Sequence, residues 1–176
     1  MTMSRSPSSS SSRGPESEGC SGAVSNLLEE LHDRWALVGA VAAGFYRAKQ
    51  RPTEDVDYLV AWDERLVPRL VDSGFDVRLM EDDGQPHLIR ARRADGNVDL
   101  IVATTDYQQL ALDRAHDHVL TVEDVFIHKL IAWRPRDQDD IQSILSTGIS
   151  YDVDYVNHWA VEWGVADRWR DALARA

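Results

Sequence analysis

The stretch from Trp35 to Val60 constrains the fold of this chain more than any other part of the sequence. It reads WALVGAVAAGFYRAKQRPTEDVDYLV. The apolar residues 35–38 predict a short strand, Gly39 predicts a turn, and the small residues that follow predict a helix over 41–48. A basic loop then leads into a second apolar strand. The stretch therefore predicts two strands joined by a turn, a helix and a loop.

Two aspartates stand at the start of the second strand. Side chains alternate between the two faces of a strand, so Asp55 and Asp57 point the same way. Two adjacent carboxylates repel each other, and a divalent cation such as Mg²⁺ would relieve that repulsion because it prefers oxygen ligands. The alternative is an edge strand that presents two aspartates to solvent. The rest of the chain favours the metal site.

A third acid lies inside a later apolar strand. The turn at 95–97 predicts a hairpin, and the strand after it, 98–103, contains Asp99. A carboxylate among apolar residues is costly unless it is paired or bound to a cation. We therefore favour a metal ligand over a structural acid at this position.

Together these parts are suited to phosphoryl-group chemistry. Three acids on two strands can form a two-metal site that aligns an attacking hydroxyl with a triphosphate. The turn at Gly39 can supply backbone N–H groups to phosphates, and Lys129 on a later helix can add a positive charge. The turn lacks the lysine of a P-loop and the glycine pattern of a dinucleotide fold.

Composition limits the class of protein. The 176 residues, 43% of them hydrophobic, suffice for one domain with a core. Residues 1–22 are rich in serine and predict a disordered tail, without the apolar run of a secretory signal or a membrane span. The single cysteine, Cys20, lies in this tail and excludes a disulfide framework. A cytoplasmic location is expected.

The charge of the chain limits which molecules it is expected to bind. The net charge of -11 argues against non-specific binding of nucleic acid. Two local clusters of basic residues nevertheless predict a positively charged rim around the substrate. Their members are Arg47, Lys49, Arg51, Arg90, Arg92 and Arg93.

The remaining pattern predicts an α+β domain with a mixed sheet. Helices are expected at 23–34, 63–73, 107–115, 123–133 and 137–145, and strands at 75–80 and 87–94. Residues 23–120 would form the core and residues 121–176 a helical C-terminal subdomain. Three tryptophans near the C-terminus, Trp159, Trp163 and Trp169, are expected to cover the core.

The motifs resemble those of a known superfamily. An apolar residue and glycine, then a helix, then Asp-x-Asp resembles the nucleotidyltransferases related to polymerase beta. The pattern R-x-T-x-D-x-D (residues 51–57) and the run HKLIAWRPRDQDDI (128–141) are similar to the AbiEii/MenT-type toxin nucleotidyltransferases. The resemblance covers Trp35 to about Leu145. It implies the nucleotidyltransferase fold, with the mixed sheet flanked by helices.

The resemblance also implies roles for individual residues. Asp55, Asp57 and Asp99 would bind Mg²⁺, with Mn²⁺ as the alternative, and Asp99 would act as the base for the acceptor hydroxyl. Lys129 would meet the phosphates of a nucleoside triphosphate (NTP). Further nucleotide-binding positions would be Gly39, Ala40, Arg51, Thr53, Asp137 and Asp140. The last two acids could instead only stabilise a helix N-terminus.

One position departs from the superfamily pattern. Ala40 stands where serine or glycine is usual, so a hydroxyl contact to phosphate is lost while the backbone N–H remains. This puts nucleotide affinity in question more than metal binding.

The implied activity is transfer of a nucleoside monophosphate from an NTP to an acceptor hydroxyl. The toxin branch implies the 3′ end of tRNA as acceptor and an antitoxin protein as partner. Two alternatives stay open. The acceptor could be a small aminoglycoside-like molecule or a protein hydroxyl, or the domain could bind a nucleotide without turnover.

Overall fold

One mixed sheet and eight helices make up the part of the chain that the computed structural model describes, residues 19–31, 34–49, 53 and 55–176. The strands are β1 (Trp35–Leu37), β2 (Asp55–Val60), β3 (Asp76–Asp82), β4 (Gln85–Arg93) and β5 (Gly96–Val102). The helices are α1 (Cys20–Leu31), α2 (Gly39–Gly44), α3 (Leu66–Asp72), α4 (Asp106–Arg114), α5 (Val122–Ala132), α6 (Pro135–Leu145), α7 (Val153–Glu162) and α8 (Ala166–Arg175).

The sheet has the strand order β1-β2-β5-β4-β3. Only the central pair, β2 and β5, is parallel, and the other three pairs are antiparallel. The two hairpins β3–β4 and β4–β5 place β5 next to β2 although they are distant in sequence. This confirms the predicted α+β class with a mixed sheet.

Side chains alternate between the two faces of the sheet along β2 and β5, and they divide the hydrophobic core into two clusters. Even-numbered side chains, such as Tyr58 and Leu100, pack in a cluster with α1 and α3 on one face. The odd-numbered Leu59 and Ile101 pack on the other face in a larger cluster with α2 and α4 to α8. Since side chains of one parity share a face, the odd-numbered aspartates of β2 and β5 belong to the face that the larger helical layer covers.

The first helix begins earlier than expected. It starts at Cys20, inside the segment 1–22 that was assigned to the tail, and Cys20 is a buried core residue. The expectation that this cysteine lies in a disordered tail is therefore wrong, because its side chain packs against Gly96 at the start of β5. Residues 1–18 lie outside the described part of the chain.

Most predicted elements are present with shifted ends. The helix expected over 41–48 is shorter and spans Gly39–Gly44, so it begins directly at the glycine turn. Thr121 caps α5, since its hydroxyl accepts a hydrogen bond from the backbone N–H of Asp124 at 3.4 Å. The C-terminal helices share their core cluster with Leu59 of β2.

The three C-terminal tryptophans differ in burial. Trp169 is buried and Trp159 is partly buried, which agrees with core cover. Trp163, at the end of α7, is 37% exposed, but its ring contacts that of the buried Tyr107 at a centroid distance of 5.8 Å. No helix in the described ranges has the length and apolar character to cross a membrane.

Tyr58 is expected to anchor α1 to the sheet. Its hydroxyl lies 2.9 Å from the hydroxyls of Ser21 and Ser25 and donates to the Ser21 carbonyl at 3.1 Å. Replacing it with phenylalanine leaves these groups unpaired, so Tyr58→Phe should lower the free energy of unfolding by about 1 to 3 kcal/mol in urea denaturation.

A double-mutant cycle with Ser25→Ala provides the control. The loss from Tyr58→Phe should be smaller in the Ser25→Ala background, because one of the bonds is already absent. Equal losses in both backgrounds would contradict the contact.

Candidate active site

The parallel register of β2 and β5 brings the predicted acids together. It pairs Asp57 directly with Asp99 and Asp55 with Asn97. The Asn97 side-chain amide donates to Asp55 Oδ1 at 3.2 Å. All three carboxylates therefore lie on one face of two neighbouring strands, as the sequence pattern predicted for the first two.

Gly39 lies in contact with one of these acids. Its φ of +62° is in the left-handed region, and a Cβ added there would lie 2.3 Å from Asp57 Oδ2. The backbone N–H of Val38 also donates to the Asp57 carbonyl at 3.0 Å. Glycine is thus required for two reasons, the backbone conformation and the close approach of the carboxylate.

The environment of Asp57 opposes its ionisation. Burial raises the pKa of this carboxyl most strongly, and the neighbouring charges of Asp99 and Asp55 raise it further. Arg134 and Lys129 lower the pKa but do not cancel these effects. The carboxylates thus form a repulsive cluster that a cation would stabilise.

Asp99 is held by two arginines of β4. Arg92 Nη2 lies 2.8 Å from Asp99 Oδ1, and Arg90 Nε lies 3.7 Å from Oδ2. The neighbouring Arg93 pairs instead with Asp95 at 2.6 Å. The basic cluster on β4 is therefore neutralised in part by the candidate site itself.

The carboxylate oxygens at this site are of the chemical type that binds a divalent cation. Aspartate oxygens are the ligands that Mg²⁺ prefers, and Gly39 keeps the space beside Asp57 clear of a side chain. Among the described residues, however, no three His, Cys, Asp or Glu side chains are already grouped to hold a metal. A cation held by Asp55, Asp57 and Asp99 would have to compete with Arg92 for Asp99.

Lys129 is enclosed by a cluster of buried charges. Its Nζ donates to Asp137 Oδ1 at 3.0 Å and to Asp140 Oδ2 at 2.7 Å. Arg47 Nη1 donates to Asp140 Oδ1 at 2.7 Å. The side chain of Lys129 is 4% exposed, so both aspartates orient the lysine and do more than stabilise a helix N-terminus.

This cluster corrects one expectation about the substrate rim. Arg47 was expected to contact the substrate, but its side chain is 3% exposed and is paired with Asp140. A guanidinium that is desolvated needs a charged partner, and α6 provides it. Arg47 is therefore a structural residue beneath the site.

Arg134 is a site residue that the sequence analysis did not single out. It precedes α6, and its Nε donates to Asp137 Oδ2 at 2.7 Å while 57% of its side chain stays exposed. Asp137 in turn accepts from the Arg134 backbone N–H at 3.1 Å. The arginine followed by Pro135 was a usable signal, since proline at the first helical position marks a helix start.

A cleft of about 220 Å³ lies beside Asp57, Lys129 and Arg134. Its walls include Val38, Gly39, Asp57, Lys129, Arg134 and Asp137. The cleft lining thus combines two carboxylates, Asp57 and Asp137, with two cations, Lys129 and Arg134, whereas Asp55 and Asp99 are not among its lining residues.

The remaining predicted positions are less central. Thr53 is exposed and its hydroxyl donates to the Asp55 carbonyl at 2.9 Å. The Ala40 carbonyl lies 3.5 Å from Arg47 Nη2. Lys49 is exposed, and Arg51 lies outside the described residues. The nucleotide-binding roles of Ala40, Arg51 and Thr53, and the place of Lys49 in the substrate rim, stay predictions.

Gly39→Ala should destabilise the protein more than Gly164→Ala. Both glycines have nearly the same positive φ, +62° and +64°, but nothing lies within 4 Å of a Cβ at Gly164. Each alanine should cost about 1 to 2 kcal/mol of unfolding free energy for the backbone, and Gly39→Ala should cost more because Asp57 must move. Equal losses in chemical denaturation would contradict the contact.

Asp57→Asn and Asp137→Asn should change stability in opposite directions. Asp57 has a raised pKa, so the folded state binds more protons and its contribution to stability falls as the pH rises through the folded pKa. The unfolding free energy of Asp57→Asn, relative to that of the wild type, should therefore increase as the pH is raised from acidic to neutral. Unfolding curves of both proteins, recorded across this pH range in the presence of a chelator, measure the difference.

Asp137 behaves in the opposite way. Burial acts to raise its pKa, but hydrogen bonds from Arg134 and Lys129 hold the pKa below its ordinary value. The stabilisation that the ionised Asp137 gives to the folded state is present above the pKa of the unfolded state. It is lost as the pH falls through the pKa of the folded state. Asp137→Asn should cost about 3 to 5 kcal/mol at neutral pH, and less in acid.

Comparison with known proteins defines the fold. No protein-family model matches the sequence, and no curated protein aligns with it. Among solved structures, the antibiotic-resistance factor ANT(2'')-Ia is similar at 13% identity with a TM-score of 0.51, over 87% of this chain and 90% of that one.

Two Helicobacter pylori proteins match with lower TM-scores. One, described as a candidate nucleotidyltransferase, has 15% identity and a TM-score of 0.42, over 68% of this chain and 65% of its own. The chain thus spans slightly less than two thirds of that protein. The other, JHP933, has 12% identity and a TM-score of 0.39, over 81% of this chain and 88% of its own. From the sheet topology and the similarity to ANT(2'')-Ia, the chain has the α+β nucleotidyltransferase fold.

Proposed function

We propose that this chain is a metal-dependent nucleotidyltransferase that moves a nucleoside monophosphate from an NTP to an acceptor hydroxyl. The observation that supports this best is the register of two parallel strands, which sets Asp57 beside Asp99 at a cleft that also contains cations. Mg²⁺ held by these acids and Asp55 would neutralise charge on the phosphates.

Two cations are proposed to hold the triphosphate. Lys129 uses two of its three N–H donors on Asp137 and Asp140, so its main effect on a phosphate is as a fixed positive charge. Arg134 is more exposed and keeps part of its guanidinium at the cleft. We therefore assign to Arg134 the direct phosphate contact that the sequence assigned to Lys129.

The transfer step then needs a base and a leaving group. The acceptor oxygen forms a bond to the α-phosphorus, the bond between the α-phosphorus and the bridging oxygen breaks, and pyrophosphate leaves. Asp99 is proposed to accept the hydroxyl proton, since it lies in register beside Asp57. To do so, Asp99 must loosen its contact with Arg92.

The acceptor best supported is a small cationic molecule with hydroxyl groups. ANT(2'')-Ia is an antibiotic-resistance factor, and the net charge of -11 favours a positively charged acceptor. The basic residues expected to contact RNA are largely engaged elsewhere. Arg47 is buried, Arg90 and Arg92 pair with Asp99, and Arg93 pairs with Asp95.

The second candidate acceptor is the 3′ end of tRNA. It rests on the sequence motifs at 51–57 and 128–141, which resemble toxin nucleotidyltransferases, and it would require an antitoxin partner. A protein hydroxyl is a third acceptor. A domain that binds a nucleotide without turnover would explain Ala40 but not the costly grouping of Asp55, Asp57 and Asp99 on one face.

Transfer from NTPs labelled at the α-phosphate tests the proposal. The wild type is incubated with Mg²⁺, each of the four NTPs, and either an aminoglycoside mixture, total tRNA or a protein extract. We expect label in the small-molecule product. Asp57→Asn and Asp99→Asn should each reduce transfer about 100-fold or more.

Asp76→Asn provides a matched control, because Asp76 is an exposed aspartate on β3 at the far edge of the sheet. It should transfer label at the wild-type rate. Label on tRNA or protein would replace the proposed acceptor and keep the chemistry. No label in any fraction, with NTP bound, would support binding without turnover.

A further inference from the structure

A second cavity adjoins the cleft, and its lining differs in chemistry. It has a volume of about 280 Å³ and is lined by Ile101, Tyr107, Gln108, His128, Ile131, Ala132 and Trp163. Three of these residues, Ile101, His128 and Ala132, also line the cleft that contains Asp57 and Arg134. The two cavities therefore share a wall.

Apart from Gln108 and His128, the walls of the second cavity are aromatic and aliphatic. The rings of Tyr107 and Trp163 stand edge to face with centroids 5.8 Å apart. Trp163 keeps 37% of its surface exposed, which leaves ring area for a ligand. The lining contains no carboxylate, so the cavity does not suit a polycationic acceptor.

His128 belongs to the shared wall and carries an unsatisfied ring nitrogen. Its Nε2 is buried and has no hydrogen-bond partner among the described residues. Such a group is costly unless a ligand or water pairs with it. Burial lowers the pKa of His128, and Lys129 lowers it further against the opposing effect of Asp124. The ring is therefore neutral at physiological pH, when one nitrogen donates and the other accepts.

We propose that this second cavity binds the nucleobase of the NTP, with the base against the Trp163 ring and its polar edge toward His128. The inference rests on the proposed function, because the triphosphate must then occupy the adjoining cleft. A flat aromatic base suits an aromatic wall, since every base has a π-face that stacks. The charged phosphates suit the lysine and arginine side.

Paired binding measurements test this assignment. Calorimetry in the presence of Mg²⁺ compares each NTP with inorganic tripolyphosphate, which lacks a base. Trp163→Ala should weaken NTP binding roughly 5- to 100-fold and leave tripolyphosphate binding unchanged. Arg134→Ala should weaken both ligands.

Two further variants control for folding and for ring chemistry. Trp62→Ala removes a tryptophan of similar exposure, 41%, that does not line either cavity, and it should bind as wild type does. Trp163→Phe keeps an aromatic face and should restore most of the NTP affinity. His128→Leu should weaken the NTPs unequally, because it removes the polar contact to the base edge.

The outcomes separate the inference from the proposed function. If Trp163→Ala weakens NTP and tripolyphosphate equally, or changes neither, the nucleobase does not lie in this cavity, while the transferase can still hold. If the wild type binds neither ligand, the proposed function itself fails.

Discussion

The buried ionic cluster of Lys129, Asp137, Asp140 and Arg47 fixes the relation between three parts of the chain. Lys129 belongs to α5, both aspartates belong to α6, and Arg47 follows α2. Buried charges are expensive unless each is paired and hydrogen-bonded. The charges pair with one another at 2.7 to 3.0 Å, so the segments cannot separate without exposing an unpaired charge.

The position of the candidate site follows from this arrangement. Because α2 and α5 are held together, Gly39 at the start of α2 stays against Asp57, and Lys129 and Arg134 stay in the wall of the cleft that Asp57 also lines. The parallel register of β2 and β5 then places Asp99 beside Asp57. Helix packing and strand register thus place Asp57, with Asp99 beside it in the sheet, at a cleft that Lys129 and Arg134 also line.

The same geometry gives the two neighbouring acids, Asp99 and Asp57, different electrostatic environments. Asp99 finds its counter-charge in Arg92 and Arg90, while Asp57 lies in a position that raises its pKa. Active sites commonly contain such unfavourable groupings, because they are stabilised only when the ligand is present. In this chain the cost is offset by the large core cluster around Phe126 and Leu59.

The sequence by itself determined the α+β class, the two central strands, the glycine turn and the identity of the acids. These follow from local rules, the alternation along a strand and the steric freedom of glycine. Only the tertiary structure decided that Arg47 is buried, that Arg134 reaches the cleft, that Cys20 belongs to the core and that Trp163 lines a second cavity. Charge and hydrophobicity name what a side chain can do, but its partner depends on which distant segments pack against it, and no local pattern encodes that.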